Sequence, residues 1–165
     1  MAAWTEVAAS APAFAEAVQA RFDAHRHKVL ATLRRDGSPR ISGIEAGFGD
    51  GQLWLGMMEG SRKARDLQRD PRLALHSPSE DPPDDPTAWE GDAKLSGRAV
   101  EVTDPDRIAA ALQAMGAAGE GPPQPMHLFR VDVGEVVLVK VGDPADHLVI
   151  ELWRDGDGLR RMIRR

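Results

Sequence analysis

Residues 61–76 read SRKARDLQRDPRLALH, and the order of charges in this stretch decides how the chain is read. Ser61 is a good helix N-cap and Pro71 forbids helical continuation, so the run between them predicts a short helix over about Arg62–Arg69. Arg72–His76 then resumes as extended chain. The helix opens with two cations, Arg62 and Lys63. A first helical turn already carries the positive end of the backbone dipole and several unpaired N–H groups, which favour acidic residues. A phosphate at this point meets backbone N–H groups, the Ser61 hydroxyl and two side-chain cations at once. The competing reading is a solvated helix face in which Arg62 and Asp66 pair at i,i+4. It accounts for Arg65, Asp66 and Arg69 but not for Lys63, which shares its helix face with Leu67.

Upstream, Val29–Leu33 and Ile41–Ile44 flank Asp36-Gly37-Ser38-Pro39, a hairpin signal. A second turn at Gly49-Asp50-Gly51 leads into Gln52–Met57, giving three strands before the helix. Before them, Phe14, Val18 and Phe22 recur every four residues and mark an amphipathic helix from Pro12 to Ala24, within an N-terminal helical segment 1–25. Downstream, residues 77–91 hold four prolines and five acids and read as a solvated loop. Lys94–Val102 reads as a strand with a bulge or close approach at Gly97, and Thr103 or Asp104 caps a helix running to about Met115. After a Gly/Pro break at 119–125, His127–Val141 and His147–Trp153 read as two last strands, and Gly156-Asp157-Gly158 turns into a basic end. The sum is a single α+β domain over 1–165, mostly antiparallel, with six or seven strands and about three helices, arranged as a barrel or sandwich.

Composition narrows the function. A chain of 165 residues buries roughly 70% of its unfolded surface, enough for one core and no second domain. A net charge of −5, with 28% charged residues, gives no basic excess for a nucleic-acid partner. No apolar run suits a membrane span and no signal peptide is visible, so the reading is cytoplasmic with no membrane partner. The chain has no cysteine, which removes disulfides, thiolate nucleophiles and Cys-ligated metals, so any redox chemistry falls to a cofactor.

Gly60-Ser61-Arg62-Lys63-Ala64 and Asp70-Pro71-Arg72-Leu73-Ala74-Leu75, following a three-strand meander with Arg40 on its second strand, resemble the pyridoxamine 5'-phosphate oxidase-like family. That resemblance implies an FMN-binding split β-barrel acting as a homodimeric oxidoreductase, with each flavin in a cleft between subunits. It implies that the Ser-Arg-Lys step holds the FMN phosphate and that Arg40 also reaches the cofactor. The implied cofactor-binding set is Arg40, Ile41, Ser42, Met57, Ser61, Arg62, Lys63 and His147, with no catalytic side chain assigned and no metal. A sister branch of the same fold takes a deazaflavin in place of FMN and shares the Arg-Lys opening.

The departures from the family pattern are specific. Glu45 stands where the oxidases carry a lysine, Gly56 and Met57 replace a hydroxylic pair, and Val137 and His147 occupy the stretch that carries a tryptophan and arginines in the parent enzymes. They imply a small-molecule substrate other than pyridoxamine 5'-phosphate. Glu45 either sits in the cleft, favouring neutral or cationic substrates, or faces solvent beside Arg34 or Arg35. The apolar third strand and the strands after residue 126 are expected to form the dimer interface. A non-catalytic flavin- or haem-binding protein, with His76, His127 or His147 as haem ligands, is the reading from another class. His25-x-His27 lacks further metal ligands and reads as an exposed helix exit.

Overall fold

The computed structural model of the protein describes residues 1–116 and 125–165, so the Gly/Pro break falls almost wholly outside the described residues. Elements run α1 (Trp4–Ser10), α2 (Pro12–Asp23), β1 (His27–Leu33), β2 (Pro39–Gly49), β3 (Gln52–Met58), α3 (Arg62–Arg69), β4 (Arg72–His76), β5 (Asp92–Val102), α4 (Pro105–Ala114), β6 (Met126–Val141), β7 (Leu148–Arg154) and β8 (Gly158–Arg164). All strand pairings are antiparallel, in the order β3-β2-β1-β4-β5-β6-β7-β8. A further β3–β6 pairing closes the first six strands into a barrel, leaving β7 and β8 as an extension. No described helix is long and apolar enough to cross a membrane.

The barrel is split along β2. Residues 39–45 of β2 pair with β1, whereas residues 45–49 pair with β3. Glu45 is the hinge of this exchange, opposite His27 on one side and Gly56 on the other. The β3-side edge of residues 39–44 is therefore unpaired, and α3 begins just after β3 ends. This explains why β2 is longer than the apolar run Ile41–Ile44 indicates: its second half is held by different partners from its first.

The interior is filled by alternating side chains, among them Leu30, Ile44, Leu53, Leu55, Leu75, Leu95, Phe129, Val131 and Leu138. α1 and α2 extend this core: Trp4 packs on Phe48 with ring centroids 4.6 Å apart, and Phe22 meets the same ring edge-on at 6.0 Å. The N-terminal segment read as helical is two helices rather than one, broken at Ala11 (φ −148°, ψ 70°); α1 starts at Ala3, which has no capping oxygen, and Glu6 supplies the cap by accepting the Ala3 N–H at 2.6 Å. Sequence reading took β8 for a basic tail, since only pairing with β7 makes it a strand. The described residues thus form four α-helices and eight strands.

α4 corrects the expected interface on the third strand. Trp54 is buried with Val102, Ala111 and Leu128 under α4, and Leu53, Leu55 and Met57 face the barrel core, so both faces of β3 are covered. Apart from Met58 at the end of β3, which is exposed, a run of exposed apolar side chains lies on the outer face of β1, β2, β7 and β8, at Val29, Ile41, Leu148 and Met162.

Gly97 does mark a bulge, with register shifting between Ser96 and Gly97 against β6. A Cβ at Gly97 would stand 2.2 Å from the Asp132 carbonyl oxygen, a contact that only backbone movement relieves. Gly97→Ala is expected to destabilise the fold by about 1–3 kcal/mol, read as a lower urea midpoint.

Candidate functional site

The site is built where α3 meets the split in β2. Ser61 is extended, at φ −61° and ψ 147°, and its Oγ accepts the Ala64 N–H at 3.4 Å, as an N-cap should. Its own carbonyl accepts the Arg65 N–H, while the amides of Arg62 and Lys63 find no acceptor among the described residues. Gly60 precedes it at φ +67°, a left-handed conformation that glycine adopts without strain.

Lys63 leans across the gap and donates from Nζ to the Gly43 carbonyl at 2.6 Å, on the unpaired edge of β2. Burial lowers its pKa below the usual lysine range. Neither Lys63 nor Arg62 makes an ion pair among the described residues. Positive charge at the head of α3 is therefore uncompensated.

Asp66 overturns the solvated-face reading of this helix. It does not pair with Arg62 but turns inward, 4% exposed, and accepts from Arg40 Nε at 2.6 Å, Thr32 Oγ1 at 3.0 Å and Arg69 Nη2 at 3.0 Å. Arg69 also donates to the Leu33 carbonyl. Burial opposes ionisation of Asp66, yet the hydrogen bonds from Arg40, Arg69 and Thr32 outweigh it and hold the carboxyl below its ordinary range. Arg40 uses only Nε here; its terminal nitrogens make no hydrogen bond among the described residues and remain available at the split.

Of the residues read from the sequence, Arg40, Ser42, Ser61, Arg62 and Lys63 gather around the split. Side-chain alternation sends Ile41 to the opposite face of β2, where it is 75% exposed beside a cavity of about 250 Å³ lined also by Val29, Ala31, Ala74 and Val137. Met57 is 3% exposed, its side chain in the barrel core rather than at the split. His147 precedes β7 at the far end of β6 from the split, its ring over Gly142 and Nδ1 2.7 Å from Asp146. Glu45 pairs with neither Arg34 nor Arg35; Arg26 Nε meets it at 2.9 Å, because the register sets Glu45 against the start of β1.

Sequence reading missed a second set. His127, on β6, faces the Gly60 amide with Nε2 at 3.1 Å and Glu101 with Nδ1 at 2.8 Å, and Glu101 also accepts from Gln68 at 3.0 Å. No local pattern reveals this, since the four residues come from four elements. With both ring nitrogens engaged, His127 has none free for a haem. No group of three metal-ligating side chains occurs among the described residues, and His25 instead meets Glu80 at 2.9 Å.

A family model described as pyridoxamine 5'-phosphate oxidase matches residues 14–140. The chain belongs to the pyridoxamine 5'-phosphate oxidase-like family. Solved structures agree on the fold. A pyridoxamine 5'-phosphate oxidase-related, FMN-binding protein from Nostoc punctiforme aligns at 16% identity over 94% of this chain and 96% of its own, with a TM-score of 0.61. An F420 reductase aligns at 19% identity over 73% of this chain and 94% of its own, TM-score 0.53. General stress protein 26 from Bacillus anthracis aligns at 17% identity over 74% and 91%, TM-score 0.55. No curated protein matches the chain. Membership supports a flavin or deazaflavin cofactor in general terms, without choosing between them.

Asp66→Ala leaves Arg40 and Arg69 without their shared anion, and is expected to destabilise the protein by about 3–5 kcal/mol at neutral pH. Because the folded carboxyl ionises at lower pH than an unfolded one near 3.9, its contribution is complete above about pH 4 and lost as pH falls through the folded value. Urea titrations should show the gap between parent and variant closing on acidification.

Proposed function

We propose that the protein holds FMN by its phosphate at the head of α3 and serves as a flavin-dependent oxidoreductase for a small molecule, working as a homodimer. One observation carries the reading: two cations without an ion pair and two helix amides without an acceptor, among the described residues, stand together at the head of α3. A dianionic phosphate supplies what is missing, and Arg62, Lys63 and the terminal nitrogens of Arg40 would bind it with charge-assisted hydrogen bonds. The unpaired backbone edge of β2 at residues 41–43 would lie along the ring, offering N–H and C=O groups that fix its orientation. When bound, the flavin supplies the hydride or electron transfer, and the protein's part is to bind, orient and exclude water.

A second copy would pack on the outer barrel face. Val29, Ile41, Leu148 and Met162 lie on the outer barrel face and its β7–β8 extension, an exposed apolar run that a partner would cover. His147 stands at the far end of β6 from the split, so it would reach a cofactor only from the partner subunit. Glu45, neutralised by Arg26, gives little ground for selecting cationic substrates. Substrates other than pyridoxamine 5'-phosphate remain the reading, because Val137 and His147 offer no arginine for a second phosphate. The F420 reductase among the structural neighbours supports a deazaflavin coenzyme as the second reading.

Three measurements bear on this. The absorption spectrum of the purified protein should show oxidised flavin; a single deazaflavin band selects the second reading, and a Soret band sinks both. Arg62→Ala with Lys63→Ala should weaken FMN binding by several kcal/mol in a fluorescence titration, at about 1.5–3 kcal/mol per charged hydrogen bond, with folding intact. Unchanged affinity removes the phosphate assignment. Ile41→Asp should turn a dimer of about twice 17.9 kDa into a monomer by sedimentation equilibrium, and a parent that is already monomeric while loaded with cofactor contradicts the dimer.

A further inference from the structure

We propose that His127 is a positioning residue for the anion loop: in its neutral form it holds the Gly60 turn, and through it the aim of Ser61, Arg62 and Lys63. The inference rests on the phosphate reading above for its effect on affinity, but the latch itself is defined without any ligand.

The geometry fixes the proton. A backbone N–H can only donate, so Nε2 of His127, 3.1 Å from the Gly60 nitrogen, must carry the lone pair. The ring proton then lies on Nδ1, 2.8 Å from Glu101 Oε1, where a carboxylate accepts it. Gln68 Nε2 donates to both oxygens of the same carboxylate, at 3.0 and 3.1 Å, so the chain of bonds returns to α3, the helix that Gly60 precedes. Turn, β6, β5 and helix are thereby joined around one half-buried imidazole, with Phe129 stacked beside it at 6.3 Å.

Protonation breaks the arrangement at one bond only. A proton on Nε2 sets donor against donor at Gly60, while the contact to Glu101 survives. The turn then loses its anchor to β6 and the two cations lose their fixed direction. The other charged groups at the latch are Arg65 on α3, whose Nη2 lies 3.6 Å from where a Gly60 Cβ would be, and Glu59, the residue before Gly60 in the turn. β3 places Met57, which does not titrate, opposite His127.

The test compares parent, His127→Gln and His127→Ala. Gln keeps an acceptor within reach of Gly60 but cannot charge. FMN affinity is measured at about pH 8 and about pH 5.5, spanning the range in which histidine side chains change charge. The FMN phosphate also gains a proton in this range, with a second pKa near 6, so the difference between parent and His127→Gln is the quantity read. The parent should lose about tenfold more affinity on acidification than His127→Gln, the equivalent of one hydrogen bond, and His127→Ala should be weak at both values. Identical pH profiles in parent and His127→Gln overturn the proposal. Hydrogen exchange of the Gly60 amide in the ligand-free protein separates the two layers. If no variant binds FMN, the phosphate reading falls, and exchange alone decides the latch. Protection at about pH 8 that is lost at about pH 5.5 in the parent but kept in His127→Gln upholds it, and equal protection in all three proteins overturns it.

Discussion

A buried carboxylate sets the geometry on which the site depends. Asp66 gathers Thr32 from β1, Arg40 from β2 and Arg69 from its own helix within hydrogen-bond distance. An unpaired charge at this depth would be driven to neutrality, and three donors reverse that preference. The three strong contacts leave α3 little freedom to slide or rotate over the strands. The head of the helix, one turn upstream, is therefore held against the unpaired edge of β2.

The same carboxylate sorts the cations of the region into two kinds. Arg69 is spent on Asp66 and the Leu33 carbonyl, and Arg40 gives Asp66 one nitrogen while keeping two. Arg62 and Lys63 pair with no carboxylate among the described residues. Lys63 is partly desolvated with only a carbonyl as partner, which is an unfavourable state for an ammonium and one that an arriving anion relieves. A structural ion-pair network would have placed an acid at this point, and the acid in the helix instead points inward.

What was legible in the sequence was local. The Ser61 cap, the stop at Pro71, the hairpin at Asp36-Gly37, the cap at Asp104 and the bulge at Gly97 each depend on residues adjacent in the chain, and each is present. Charge order at the head of α3 likewise pointed to an anion without help from the fold. What escaped depends on contacts across the sheet. Asp66 looked like an exposed i,i+4 partner because Thr32 and Arg40 are distant in sequence. His127 stood out only as a candidate haem ligand because its partners Gly60 and Glu101 lie 67 and 26 residues away. Met57 shows the limit of carrying a position over by resemblance: strand alternation turns its side chain into the core, where it packs with the barrel interior.

Alternation along β2 also ties assembly to binding. Arg40, Ser42 and Ile44 point to the side where α3 and the core lie, while Ile41, Gly43 and Glu45 point to the outer face. One strand therefore presents a phosphate-seeking guanidinium on one side and an exposed apolar side chain on the other, one residue apart. A cofactor laid along the unpaired edge would run between these two environments, from the polar head of α3 to the apolar outer surface. A ring emerging there would meet no β3 backbone, since β3 pairs with β2 only over residues 45–49. On the proposed reading, a second copy packed on the outer face would supply a wall there, and the same split that would admit a cofactor would leave its site incomplete in one chain.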